Sequence, residues 1–229
     1  MTEDSKDVKS GKSKGLRYVL IVLFITILFL LASTVRKMII LDSLSESILA
    51  YVNGSNSYVK VSGDLTNGYE YVETYKMDGK IKSVSKEKGS DVVITTFETP
   101  DEFKYYIDAP EYKRLRVVND GIYRNEIIDS PVSYYGSLLD KFMIASVTKI
   151  GSEKVDGKDC YVLSSNSSKV SKCYGGYAGK SYVEKETGLL LKEVTSRDGK
   201  DFVINYEYEF DGVSADDMTE PDESQYEVQ

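Results

Sequence analysis

Two cysteines, Cys160 and Cys173, are the only soft nucleophiles in the 229-residue chain, and twelve residues rich in Ser and Lys separate them. Their spacing is not the Cys-x-x-Cys of a thiol–disulfide catalyst. A metal site would need further ligands, and the chain contains no histidine at all. The missing histidine also removes Ser-His-Asp and Cys-His catalysis and the common zinc sites. What remains for the pair is a structural disulfide, if the segment lies outside the cytoplasm, or two free thiols. Cys160 sits in a strand-like run, DCYVLSS, and Cys173 follows a polar loop, so the chain can fold back to join them. Closing a loop of that size would contribute about 3 kcal/mol.

Carboxylates are the other chemistry-bearing groups. Asp216-Asp217 and Asp222-Glu223 form pairs, but in an acidic, Pro-containing tail that reads as disordered. No nucleophile signature accompanies them, so the expectation is a protein that binds rather than an enzyme. No cofactor and no metal are expected. Asn53-Gly54-Ser55 and Asn166-Ser167-Ser168 match glycosylation acceptors, a pattern short enough to arise by chance.

The compartment follows from the N-terminal quarter. Tyr18–Val35 is eighteen residues without a charge, which as a helix spans about 27 Å, close to the hydrocarbon thickness of a bilayer. Five Lys and Arg precede it, while Arg36 and Lys37 follow. The excess of basic residues puts the N-terminus inside. A cleaved signal peptide is the competing reading. The run is long for one, and Ala32-Ser33-Thr34 is a poor cleavage site, so an uncleaved anchor is expected. The implied organisation is a cytoplasmic tail (1–17), a transmembrane helix (18–35), an extracytoplasmic domain (38–215) and a disordered acidic tail (216–229).

Setting aside the seven basic and three acidic residues of 1–37 leaves 22 Lys and Arg against 34 Asp and Glu, a net charge of −12. Nucleic acid and anionic headgroups are therefore poor partners for the outer part. The chain's 19 tyrosines suit strands and the walls of apolar pockets equally.

Helical spacing of Leu41, Leu44, Ile48, Leu49 and Val52 predicts an amphipathic helix that continues the membrane helix. Nine or ten strands follow. Their turns are marked by Asp78-Gly79, Asp120-Gly121, Asp156-Gly157, Asp198-Gly199 and the looser Glu186-Thr187-Gly188. In the last strand Phe202, Ile204, Tyr206, Tyr208 and Phe210 alternate with more polar residues, so a meander with a one-sided core is expected. The segment SPVSYYGSLLDKFMIASVTK interrupts the strands with a helical pattern on Tyr135, Leu138, Leu139, Phe142, Met143 and Ala145. A sheet with one apolar face needs such a cover.

The runs VDGKDCYVLSS, SYVEKETGLLLKEVTS and FVINYEYEF, with Val155, Gly157, Tyr161, Leu163, Tyr182, Val183, Thr187, Gly188, Leu189 and Tyr206 at the characteristic places, resemble the LolA/LolB-like half-barrel family of lipoprotein carriers and RseB-type sensors. The likeness spans about residues 38–215 and is motif-like over 147–210. It implies an α+β fold, a large curved antiparallel sheet (a half-barrel) covered by helices and preceded here by one transmembrane helix. It also implies an apolar cleft for an acyl chain or lipoprotein anchor. Tyr135, Leu138, Phe142, Met143, Tyr206 and Tyr208 are the candidate lining. The plainer alternative is that they fill the core. The membrane helix departs from a travelling carrier. The expected function is a membrane-anchored extracytoplasmic protein of the cell envelope that binds a lipid, lipoprotein or other apolar ligand. The alternative is a sensor or interaction module with a filled core and a membrane-protein partner.

Overall fold

The computed structural model describes residues 7–52, 56–65, 68–118, 137–165, 179–197 and 199–228. Helix α1 (Asp7–Val52) runs 46 residues without a break. The apolar span and the amphipathic stretch behind it are thus one rod, and this helix is long and apolar enough to cross a membrane. No residue of its Tyr18–Val35 span is buried, whereas Leu41, Leu44 and Ile48 are fully buried. Those three lie on one stripe of the helix and carry it into the domain.

Twelve strands follow among the described residues. They are β1 (Asn56–Gly63), β2 (Tyr69–Met77), β3 (Lys80–Glu87), β4 (Val93–Glu98), β5 (Phe103–Ala109), β6 (Tyr112–Val118), β7 (Thr148–Val155), β8 (Lys158–Ser165), β9 (Lys180–Glu184), β10 (Leu190–Arg197), β11 (Lys200–Phe210) and β12 (Glu227–Val228). They form one open sheet in the order β12-β6-β5-β4-β3-β2-β1-β11-β10-β9-β8-β7. Every pairing is antiparallel except the parallel contact of β12 with β6. The broad α+β expectation therefore holds. The Asp-Gly links do what their chemistry allows: Asp78 and Gly79 have φ of 51° and 77°, and Asp156 and Gly157 have 49° and 84°. Positive φ at both central residues is the type I′ hairpin turn, whose twist matches that of the flanking strands. Asp120-Gly121 and Asp198 lie outside the described residues.

Helix α2 (Leu138–Val147) starts where Ser137 caps it, with Ser137 Oγ accepting from Asp140 N and Asp140 accepting from Ser137 N. This reciprocal box satisfies two of the open donors at a helix start. Ile144 and Ala145 are its buried face, and Lys141 Nζ ties it to Asp42 of α1 at 2.8 Å.

The core is not one-sided as the strand alternation suggested. Directly opposed residues share a face of the sheet. The chain of partners Leu115–Tyr106–Thr95–Val84–Glu73–Lys60–Glu207 therefore defines one face. Tyr206, adjacent to Glu207, lies on the other. On the Tyr206 face, α1 and α2 cover the β7–β11 end, where Leu41, Leu44, Ile144, Ala145, Leu163, Val183 and Leu190 form a buried cluster with Tyr161 and Tyr206 against it. On the Leu115 face, a second cluster joins Phe97, Tyr106 and Leu115 to Val213 and Met218. A twelve-stranded sheet is too broad for two helices, so the remaining half finds its cover on the opposite side.

That cover is the acidic C-terminus, which the composition predicted to be disordered. Residues 211–228 instead cross the face of β1–β6 as a strap. Asn56 grips Val213 at both backbone atoms, Nδ2 to its carbonyl at 2.7 Å and Oδ1 from its N–H at 2.9 Å. Lys82 Nζ donates to the carbonyls of Asp217 and Thr219 at 2.7 and 3.0 Å. Lys104 Nζ sits 2.9 Å from both Glu220 and Glu223 and 3.2 Å from Glu102. A 3-10 turn (Glu223–Gln225) then leads into β12. The strap's acidity is matched by lysines supplied by distant strands, and its apolar residues fill the second cluster.

The strap should loosen in acid. Hydrogen bonds from Ser214 hold the Asp217 carboxyl below its ordinary range, those from Ser224 do so for Asp222, and the Lys104 ammonium does so for Glu223. A carboxyl depressed by folding contributes stability above its unfolded pKa, and loses it as pH falls through the folded value. We therefore expect the Val213 and Met218 methyl NMR signals to move toward random-coil positions below about pH 4, before those of Leu163. Methyls that stay native until the whole domain unfolds would contradict this.

Candidate functional site

The pairing of β10 with β11 runs from Arg197–Lys200 to Lys192–Asn205, while β11 continues along β1 to Phe210. Among the described residues, 206–210 therefore have a strand on one side only. The gap left by β10 is a cleft of about 750 Å³. It is closed on its far side by the β7–β8 hairpin tip at Asp156 and Lys158 and by the β9–β10 turn at Glu184–Leu189.

The apolar wall is the end of β11. Tyr206, Tyr208 and Phe210 point the same way and lie nearly parallel, with ring centroids 6.5 and 6.3 Å apart and interplanar angles of 9° and 5°. Strand pleat alone produces this ladder, because i, i+2 and i+4 project to one face about 6.6 Å apart. Tyr206 is fixed further by its hydroxyl, which donates to Glu193 Oε2 at 3.0 Å. Leu189 and Leu191 complete the apolar part.

The polar wall carries Asp156, Glu184, Glu186 and Glu207 against one cation, Lys158. Glu184 is 8 % exposed; it accepts from Thr187 Oγ1 at 2.6 Å and pairs with Lys158 Nζ at 3.2 Å. The Thr187 hydroxyl also accepts from Leu189 N at 3.2 Å, which closes the turn. Next to it Gly188 has φ of +73°, and a Cβ there would fall 2.4 Å from the Leu44 carbonyl oxygen. The Thr-Gly pair thus shapes the cleft's rim and seats the turn against α1. Overall the cleft is an aromatic wall facing a surplus of carboxylates.

The expected lining residues divide. Tyr206 and Tyr208 border the cleft, Tyr206 while also packing on the first cluster. Leu138 is 75 % exposed at the start of α2, and Phe142 and Met143 are half-buried on that helix; none of the three lines the cleft. Tyr135 lies outside the described residues. The sequence reading missed Asp156, Lys158, Glu184 and Glu186 as site residues, although it had marked Asp156 and Glu186 as turn residues. The expected Cys160–Cys173 disulfide is not supported. Cys160 is a free thiol with 0 % exposure, its pKa raised by burial, and Cys173 lies outside the described residues. On β8, between β7 and β9 in the sheet, the buried Cys160 is a small core residue. Among the described residues no cluster of three or more His, Cys, Asp or Glu is placed to hold a metal.

No protein-family model and no curated protein matches the chain. Among solved structures it is similar to the crystal structure of LprF from Mycobacterium bovis, at 16 % sequence identity and a TM-score of 0.42, over 75 % of this chain and 91 % of that one. No residue's role rests on that likeness.

Proposed function

We propose that the chain is a single-pass, membrane-anchored extracytoplasmic protein that holds an apolar ligand, a lipid or a lipoprotein's acyl chain, along the aromatic end of β11. The observation that carries this reading is the ladder of Tyr206, Tyr208 and Phe210 beside a cleft of ligand size. Clefts with an apolar wall and a few convergent polar groups are the usual small-ligand sites. The carboxylates opposite the ladder favour a ligand whose polar end is cationic, since an ammonium is attracted by both ring faces and carboxylates, and an anionic head would be repelled.

The anchor supports the same reading. Ile48 N lies within 3.1 Å of where a Gly188 Cβ would sit, and Ile48 is thirteen residue steps beyond Val35 on the same continuous helix. At 1.5 Å per residue, the cleft's rim stands about 20 Å along the helix from the end of the apolar span. That is beyond the headgroup layer, so the cleft faces a partner or the aqueous space rather than its own bilayer.

The test uses the full chain in detergent micelles with dodecylamine and dodecanoate as competitors for a dansylated fatty probe. Saturable uptake is expected, with dodecylamine the stronger competitor. Tyr208→Asp should weaken uptake at least about tenfold, given the desolvation cost of a buried carboxylate, with an unchanged circular dichroism spectrum. No saturable uptake, or uptake indifferent to Tyr208→Asp, would overturn the assignment.

A further inference from the structure

We propose that the outer edge of β6 is a docking strip for an acidic, extended segment of a partner protein, occupied in this structure by the chain's own C-terminus. The strand reads YKRLRVV. All seven residues pair with β5 on the inner side, yet β12 covers only Arg114 and Leu115 on the outer side. The backbone along the rest of the strip carries no described strand, and an open edge is a template for strand addition.

Its charge selects the occupant. Lys113, Arg114 and Arg116 put three cations within four residues, on an outer part whose net charge is −12. Among the described residues, no ion pair includes Arg114 or Arg116, and both side chains are exposed. Guanidiniums held beside backbone that no described strand pairs with suit a carboxylate-bearing strand, because they can bind it bidentately while the ladder forms.

The chain's own tail shows what fits. Tyr226 packs edge-on against Tyr106 at 5.2 Å and lies under Lys113 Nζ at 5.5 Å. Glu227 and Val228 then run parallel to Arg114 and Leu115, Glu227 directly opposite Arg114. This hold is shallow, since Val228 is 68 % exposed and the shared ladder is two residues long. Segments with few buried contacts open at low cost. A partner strand with the same aromatic–acidic start could displace β12 and continue along Arg116–Val118.

The probe is a labelled synthetic peptide of residues 219–228, TEPDESQYEV, added to the full chain in micelles. Val228→Pro removes a backbone donor from the cis strand and weakens the hold of Tyr226–Val228, so that the peptide can displace it. The peptide is expected to bind the Val228→Pro chain at least about tenfold more tightly than the unaltered chain, because the cis tail competes at high effective concentration. Arg114→Glu with Arg116→Glu in the Val228→Pro background should cut binding at least about tenfold, as should Lys in place of the peptide's acidic residues. Should Val228→Pro disturb the fold, a chain truncated after Pro221 serves instead. Absence of saturable binding to either opened chain would overturn the proposal and leave the charges as guards against edge pairing. Binding indifferent to the arginines would overturn it as well. Dimerisation of the opened chain in sedimentation without peptide would assign the strip to a second copy, against the proposal.

Discussion

Gly188→Ala is expected to lower the unfolding free energy by about 3 kcal/mol and to loosen α1 from the sheet, from two effects that add. A non-glycine residue at positive φ costs about 1–2 kcal/mol, and Gly188 has φ of +73°. The new methyl would also meet backbone on two sides, the Leu44 carbonyl oxygen at 2.4 Å and Ile48 N at 3.1 Å. Helix backbone cannot step aside as a side-chain tip can, so either the turn or α1 must move. Overpacking of this kind costs about 1–3 kcal/mol.

Gly157→Ala supplies the control. Gly157 has a similar φ of +84°, but nothing lies within 4 Å of its missing Cβ. It should lose only the backbone share, about 1–2 kcal/mol. Thermal unfolding of both variants in micelles separates the two effects, and limited proteolysis near Asn53 reports on α1. Equal losses would mean that the turn does not bear on α1. The comparison matters for the proposed function, because the same turn forms one rim of the cleft.

Tyr106→Ala should be the most damaging change in the other half of the sheet, destabilising by about 3–5 kcal/mol, the range for deleting a large buried aromatic. Tyr106 is 1 % exposed at the centre of the second cluster, with Phe97, Leu115, Val213 and Met218 around it. Its hydroxyl donates to Glu220 at 3.0 Å, so the side chain joins the strap's apolar and charged contacts. Tyr106→Phe keeps the packing and loses that bond to a carboxylate, for about 1.5–3 kcal/mol. With alanine, protease should cut within 211–228 while the α1–α2 end stays folded. With phenylalanine the strap should hold.

The tyrosines add a pH signature. Burial, and then the Glu73 charge, pushes Tyr75 up to about 12, and burial also raises Tyr58 and Tyr106. A raised pKa contributes stability below the unfolded value and loses it as pH climbs toward the folded one. Unfolding by alkali should therefore begin above about pH 10, with a shallower loss of stability per pH unit in the Tyr106→Phe variant. A domain half equally protected in Tyr106→Ala would show that the strap is not its cover.

Local patterns were legible in particular residues. The uncharged run from Tyr18 to Val35, the stripe Leu41–Leu44–Ile48 and the Asp-Gly pairs at 78–79 and 156–157 each announce their element, because helix period and turn dihedrals are nearest-neighbour physics. The alternation through Phe210 likewise placed Tyr206 and Tyr208 on one face. The C-terminus was misread for the opposite reason. Acid and proline argue for disorder only when no counter-charge is near. Glu220 and Glu223 find theirs in Lys104, more than a hundred residues earlier, and Lys82 holds the backbone carbonyls of Asp217 and Thr219.

The cleft was half visible. Its aromatic wall belongs to one strand and could be read along it; apart from Glu207, its acidic wall comes from the β7–β8 and β9–β10 turns, which meet β11 only because β10 stops pairing at Lys192. Residue order along the chain therefore determined one unbroken helix, a run of hairpins and an aromatic stripe. Tertiary structure alone decided that the sheet would bury both faces, with helices over one half and the tail over the other. Covering a sheet depends on which distant segments have apolar area and matching charge to lay on it, and no local window of sequence contains that information.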